Sequence, residues 1–161
     1  MPKAEVIADL RTARQNLEDA LAGLTDDHML RVGAAGIWSI KDILAHLTAW
    51  ESELVTALSR LDQYKRRPPR IVEIEDIDEW NEEQYRTSAP RPLANVLEDF
   101  HGVHKHLIAA IESLDERTLD DNRLWPWMEG EPLSYLIAEN AIWHEDEHAE
   151  DIRAWREAEG I

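Results

Sequence analysis

Residues Ile137 to Trp155 read IAENAIWHEDEHAEDIRAW. At about 100° per residue, Ile137, Ala141, His144, His148, Asp151 and Ile152 fall on one side of a helix, with Asn140 close by. The stripe is apolar at one end and turns to Asn, His, His and Asp in its middle. A plain core does not require that, because every buried polar group demands a partner. The rest of the chain either supplies a partner for the histidines or leaves them as ordinary surface or hydrogen-bonded residues.

Upstream, three more stretches carry the same period. From about Lys3 to Leu24, the residues Val6, Leu10, Ala13, Leu17, Leu21 and Leu24 recur at three and four, which predicts an amphipathic helix. A second helix starts at GIWSIKD. Ser39 is placed to be its N-cap, Asp42 closes a capping box, and Trp38 and Ile43 stand at the hydrophobic-staple positions. Its stripe of Ile43, Leu44, Leu47, Leu54 and Leu58 runs to about Leu61. The third helix begins after Pro90 and Pro92 and carries Leu93, Val96, Leu97, Phe100, Leu107, Ile111 and Leu114. Pro132 opens the fourth, where a missing N–H is harmless.

The segment from Asp62 to Pro92 is long for a helix–helix connection, so a short helix is expected within it around Asp78 to Arg86. With no alternating, strand-like pattern, the fold class is all-α. An up-down four-helix bundle is expected, its long connection joining helix two to helix three, in a single domain over residues 1–161.

Helix two offers the partner. His46 flanks its apolar stripe, with Trp50 and Glu53 on the same side, and side chains on facing helices converge in a bundle interior. His144 and His148, one turn apart, can reach one cation. Their spacing matches the two-histidine helix of zinc hydrolases, with Glu145 after the first histidine, but the fold and the distant third ligand differ from that group. The expected metal site is therefore His46, His144 and His148. Asp151 and Glu53 are the carboxylates placed to orient an imidazole or handle a proton. Three neutral imidazoles with open positions suit Zn²⁺ or Ni²⁺ and would accept Fe²⁺ or Mn²⁺. His104, between Phe100 and Leu107, competes as a fourth ligand or is a hydrogen-bonded core histidine.

Composition narrows the function classes. The 161 residues are 43% hydrophobic with seven Trp, enough for one packed core. The formal charge of -17 argues against binding a nucleic-acid backbone or an anionic membrane. No cysteine means no disulfide, no Cys-based zinc site and no Cys nucleophile. The N-terminus has no apolar leader, so a soluble cytoplasmic protein is expected. There is no P-loop and no G-x-S-x-G elbow. KRRPPR, residues 65–70, reads as a solvated basic loop. Trp80, Trp125 and Trp127, in or beside connections, either line a pocket mouth or seal a bundle end.

WSIKDILAHLTAWE, from Trp38 to Glu51, followed far downstream by HEDEHAEDIRAW, from His144 to Trp155, resembles the DinB-like (YfiT-like) metalloenzyme superfamily. The insert DEWNEEQY, Asp78 to Tyr85, is similar to the ClbS/DfsB branch. The resemblance implies a four-helix bundle that binds a divalent metal, commonly zinc or nickel, with ligands matching His46, His144 and His148. It also implies thiol-dependent transfer or isomerisation with a low-molecular-weight thiol, or hydrolysis of a reactive small molecule; a non-catalytic metal- or ligand-binding bundle is the rival. The partner expected is a small-molecule substrate. A homodimer is expected as well, since Trp143 and Trp155 point away from the metal-facing side and dimers are common in the family; its association would tighten with salt.

Overall fold

The computed structural model describes residues 1–161. Its helices, in chain order, are α1 (Lys3–Leu21), α2 (Asp26–Leu30), α3 (Ile40–Ser59), α4 (Arg70–Glu73), α5 (Ile77–Ser88), α6 (Leu93–Glu112), α7 (Glu116–Asp120), α8 (Leu133–Ile137) and α9 (His144–Glu159). A π-helical segment, Ala138–Trp143, joins α8 to α9 without a break. The chain forms no strand, only the isolated bridge between Ala35 and Trp38. No helix is long and apolar enough to cross a membrane.

Local chemistry sets the helix starts. The Ser39 side chain accepts from the Asp42 N–H while the Asp42 carboxylate accepts from the Ser39 N–H, the expected capping box. Thr25 and His28 build a second box on α2. Pro92 and Pro132 occupy the cap positions of α6 and α8. The first helix ends at Leu21, short of Leu24, because Gly23 takes a left-handed φ of 82° and turns the chain toward α2. The short helix expected in the middle connection is α5.

Four long helices pack side by side: α1, α3, α6 and the α8–α9 rod. Lys41 Nζ, at the start of α3, donates to the carbonyls of Ala89 and Arg91 beside the start of α6. Thus α3 and α6 run the same way, and the connection carrying α4 and α5 brings the chain back along the bundle. Lys3 Nζ on α1 meets the carbonyls of Glu112 and Leu114 at the end of α6, so those two run opposite. Arg156 Nη1 near the end of α9 donates to the carbonyls of Ala20 and Ala22 at the end of α1, which makes that pair parallel. The directions are up, down, down, up; strict alternation is broken where the connection is long enough to span the bundle.

The apolar interior falls into two clusters. One gathers Val6, Leu10, Leu54, Leu107, Ile111 and Ile137. The other gathers Leu17, Ile40, Leu44, Phe100, Ala149 and Ile152. Between the two, buried Arg14 on α1, Glu51 on α3 and Glu145 on α9 form a polar layer. The histidines of the candidate site lie at this level of the bundle.

Candidate metal centre

Steps of four residues overshoot an α-helical turn by about 40°, so a stripe at 133, 137, 141, 145 and 149 would walk around a regular helix. The π segment has wider turns and absorbs the drift. The buried line runs Leu133, Ile137, Ala141, Glu145, Ala149 and Ile152. This differs from the regular 100° projection of the sequence: Glu145 takes the core line, while His144 and His148 are moved to its flank, half-buried. Trp143 is exposed, but Trp155 is buried, so only one of the two tryptophans leaves apolar surface over.

His46 Nε2 lies 2.9 Å from His144 Nε2, which is 3.2 Å from His148 Nε2. The Trp38 ring packs against His46 with centroids 5.0 Å apart. Burial and the neighbouring imidazoles lower the His46 pKa to about 3, and burial with His148 lowers that of His144 to about 4. His148 is also lowered, chiefly by burial, against the opposing pull of Asp151 and Glu147. All three are neutral at pH 7, the form that offers a lone pair.

The tautomers decide where those lone pairs point. The backbone of Asn140, one turn earlier, opposes the lowering of the His144 pKa, which favours its proton on Nδ1. Asp151 Oδ2 stands 3.2 Å from Nδ1 of His148. The carboxylate lies off the ideal N–H direction, so this is a contact between a carboxylate charge and the dipole of a neutral ring more than an aligned hydrogen bond, yet it still favours the proton on Nδ1. Bare Nε2 atoms of His144 and His148 then face each other, and the one proton His46 could supply cannot relieve all three. Two ligands on a tetrahedral cation at 2.0–2.1 Å stand about 3.3 Å apart. The donor set fits a divalent cation.

An open cavity of about 840 Å³ adjoins this cluster, with His46, His144 and His148 in its wall. Trp50, Trp127 and Met128 line it as well. Trp50 Nε1 donates to Asn81 Oδ1 at 2.9 Å and its ring packs on Trp80 at 4.3 Å, which docks α5 beside the cavity. Trp127 Nε1 donates to the Tyr64 carbonyl at 2.7 Å and closes the bundle end.

The two sequence-expected carboxylates part company. Asp151 sits beside His148. Glu53 does not line the cavity; it faces the groove between α3, α5 and α6, its carboxylate 3.6 Å from Arg70. His104 lies with Glu51 and Glu145 rather than with the three histidines.

That second group went unread in the sequence. Arg14 Nε and Nη2 donate to Glu145 Oε1 at 3.0 and 2.7 Å, Nη1 donates to the Phe100 carbonyl at 2.9 Å, and Nη2 reaches Glu51 Oε2 at 3.4 Å. The guanidinium also lies 3.7 Å over the Phe100 ring. One side chain thereby touches all four long helices. Burial, then the Glu145 charge, pushes the Glu51 carboxyl up despite Arg14, and Glu51 Oε1 has no donor to accept from. A proton on Glu51, shared with Glu145, satisfies that atom and leaves one carboxylate for one guanidinium. With Arg14 already supplying the positive charge, this group has less need of a metal than the histidines. The available signal was position: Arg14 is four residues from Leu10 and three from Leu17, on the buried stripe.

Known proteins place these features in context. The fold matches the sibling lethal factor precursor DfsB at a TM-score of 0.81 and 15% identity, covering 99% of this chain and 97% of that one. It matches an uncharacterised protein from Escherichia coli UTI89 at 0.80 and 14%, covering 99% and 95%. The colibactin self-resistance protein ClbS, solved in complex with double-stranded DNA, matches at 0.78 and 14%, covering 95% and 94%. No curated protein matches the sequence significantly. The ClbS complex overturns the expectation that nucleic acid is excluded. A mean charge sets only the average field, and it leaves open what a local patch such as Lys65 to Arg67 meets. Residues 9–152 match the sequence pattern of the DinB superfamily, and the chain belongs to that superfamily.

Proposed function

We propose that this protein is a metal-dependent enzyme acting on a small reactive substrate in the cavity beside His46, His144 and His148, by hydrolysis or by transfer of a thiol. The observation that carries the reading is the convergence of three Nε2 atoms, 2.9 and 3.2 Å apart, in the wall of an open cavity. A site built only for stability would close over its cation. Zinc or nickel, when bound, would supply Lewis acidity that polarises an electrophile or eases deprotonation of water or a thiol. The histidines would hold the cation, and Asp151 and the Asn140 backbone favour the protons of His148 and His144 on Nδ1, leaving Nε2 as the ligand atom. Glu147 lines the cavity and acts on His148 through its charge, so it is the carboxylate best placed to take a proton from a reacting group. Glu53, engaged near Arg70 in another groove, has no part in this scheme. A thiol would arrive as a co-substrate, since the chain has no cysteine.

Protein purified without a nickel column should carry about one zinc or nickel per chain by elemental analysis, and His144→Ala and His148→Ala should lose it. A screen of thiols and electrophiles with loaded and stripped protein then separates enzyme from binding module. Turnover lost on stripping supports the enzyme. Unchanged ligand binding with only a lower melting temperature supports the module.

A further inference from the structure

Two carboxamides line the cavity beside the histidines, Asn81 on α5 and Asn140 in the π segment. Each is one helical turn removed from a candidate metal ligand. Asn140 precedes His144 by four residues, and Asn81 is bonded to Trp50, which follows His46 by four.

A free carboxamide can turn over and exchange its donor for its acceptor, so on its own it presents no fixed polarity. These two cannot turn over. The Trp50 indole N–H only donates, so the atom 2.9 Å from it is the Asn81 oxygen, and reversing the amide would set N–H against N–H. Trp50 is itself held, buried and packed on Trp80 with ring centroids 4.3 Å apart. Asn81 is left with Nδ2 and its two N–H groups, which find no acceptor in the protein and are not sealed from solvent.

Asn140 is fixed the other way. Its Nδ2 donates at 2.9 Å to the Leu136 carbonyl, a group that only accepts, and its Oδ1 is left without a donor. The cavity wall therefore offers a preset donor from α5 and a preset acceptor from the π segment, among the apolar side chains of Ile71, Trp127 and Met128. A few fixed polar groups in an otherwise apolar wall are what orient a bound molecule. A ligand that displaces solvent from them must replace the hydrogen bonds it removes.

We infer that Asn81 and Asn140 determine the specificity of this cavity, and that its substrate carries a neutral amide-type group on an apolar body. The carbonyl oxygen accepts from Asn81 Nδ2, and an N–H donates to Asn140 Oδ1. Their role as substrate contacts rests on the proposed function of the cavity, but neither hydrogen bond needs a metal.

Three probes share a ring and differ in these groups: benzamide has both, N,N-dimethylbenzamide keeps only the acceptor, and toluene has neither. Each is titrated into metal-free and zinc-loaded protein, followed by tryptophan fluorescence and proton NMR. Asn81→Asp keeps an oxygen for Trp50 and removes the donors. It should weaken both amides about 10-fold or more in metal-free protein, with toluene unchanged within about 2-fold and zinc content as in the wild type. Asn140→Ala should weaken benzamide about 3-fold or more and leave N,N-dimethylbenzamide unchanged. In the wild type, the Asn81 side-chain amide protons should move downfield with either amide and stay in place with toluene. If Asn81 served only to hold Trp50, Asn81→Asp would bind all three probes as the wild type does, and that result overturns the assignment. So does an equal loss of toluene and amides, Asn81 amide protons that ignore the carbonyl, an Asn140→Ala variant that keeps full benzamide affinity, or no amide binding at about 50 mM. Failure of the wild type to hold zinc would sink the metal-dependent reading and leave the metal-free titrations to decide this one.

Discussion

Asp151 is the residue whose small change discriminates most. Its carboxylate, 3.2 Å from His148 Nδ1, keeps that ring in the tautomer that turns Nε2 inward. Asp151→Asn should weaken zinc binding about 10- to 100-fold, the range typical of such supporting groups, whereas Glu53→Gln should leave it unchanged. Competition with a chromogenic chelator measures both, and equal effects would remove the distinction drawn here. Glu51 gives a pH signature. Its folded-state pKa is raised above the unfolded value near 4.5, so its contribution to stability is complete below that value and is lost as pH rises through the folded pKa. Gln resembles the protonated acid and does not titrate. Melts of Glu51→Gln and wild type from pH 5 to 8 should therefore diverge in favour of the variant as pH rises. Arg14→Met should instead cost about 3–5 kcal/mol, because it strands buried carboxylate charge; a variant as stable as wild type in urea would refute the layer's role.

The π segment Ala138–Trp143 determines which residues of the last helix face inward. Without its wide turns, the line through Leu133, Ile137 and Ala141 would not continue into Glu145 and Ala149, and His144 and His148 would not flank it at the cavity wall. Deleting Asn140 removes about 100° of rotation, and relaxation of the wide turns to α-helical ones restores about as much, so His144, Glu145 and His148 keep their facing relative to α8. The expected result is zinc binding retained in the deletion variant, whereas inserting one alanine after Asn140 adds about 100° of rotation and should abolish zinc binding with helical circular dichroism largely retained. Zinc binding kept by the insertion variant, or lost in the deletion variant that still folds, would show that this rotation does not set the facing of the histidines. The short helix α5 is positioned by a different device, the Trp50–Asn81 hydrogen bond and the Trp50–Trp80 contact, which tie the connection to α3 beside the cavity.

For the whole molecule, two apolar clusters meet at a polar layer that binds four helices through one guanidinium. We propose that residues 1–161 melt as one cooperative unit, because neither cluster is built from a continuous piece of chain. Calorimetric and van't Hoff enthalpies should agree, and saturating zinc should raise the midpoint of the same single transition. Two separate transitions in metal-free protein would show the clusters to be independent. The charge of -17 is a property at this scale too. It describes the average field, which is why it could not by itself exclude nucleic acid as a partner.

Helix existence, the Ser39–Asp42 box and the pairing of His46 with His144 and His148 were legible in the chain itself, because periodicity and capping are local and a one-turn spacing puts two imidazoles on one face whatever surrounds them. The parallel course of α3 and α6 was not legible, since a connection's length permits a crossing without choosing its direction. Nor was the inward turn of Glu145, because a regular 100° projection has no place for a π turn. Arg14 was visible only as a charge on an apolar stripe; its meaning required Glu51, Phe100 and Glu145 from three other helices. Glu53 and Asp151 looked equivalent on their own helices, and tertiary packing separated them by placing Arg70 beside one and His148 beside the other. What depends on neighbours along the chain was determined by sequence, and what depends on which distant groups share one desolvated volume was decided only by the packed bundle.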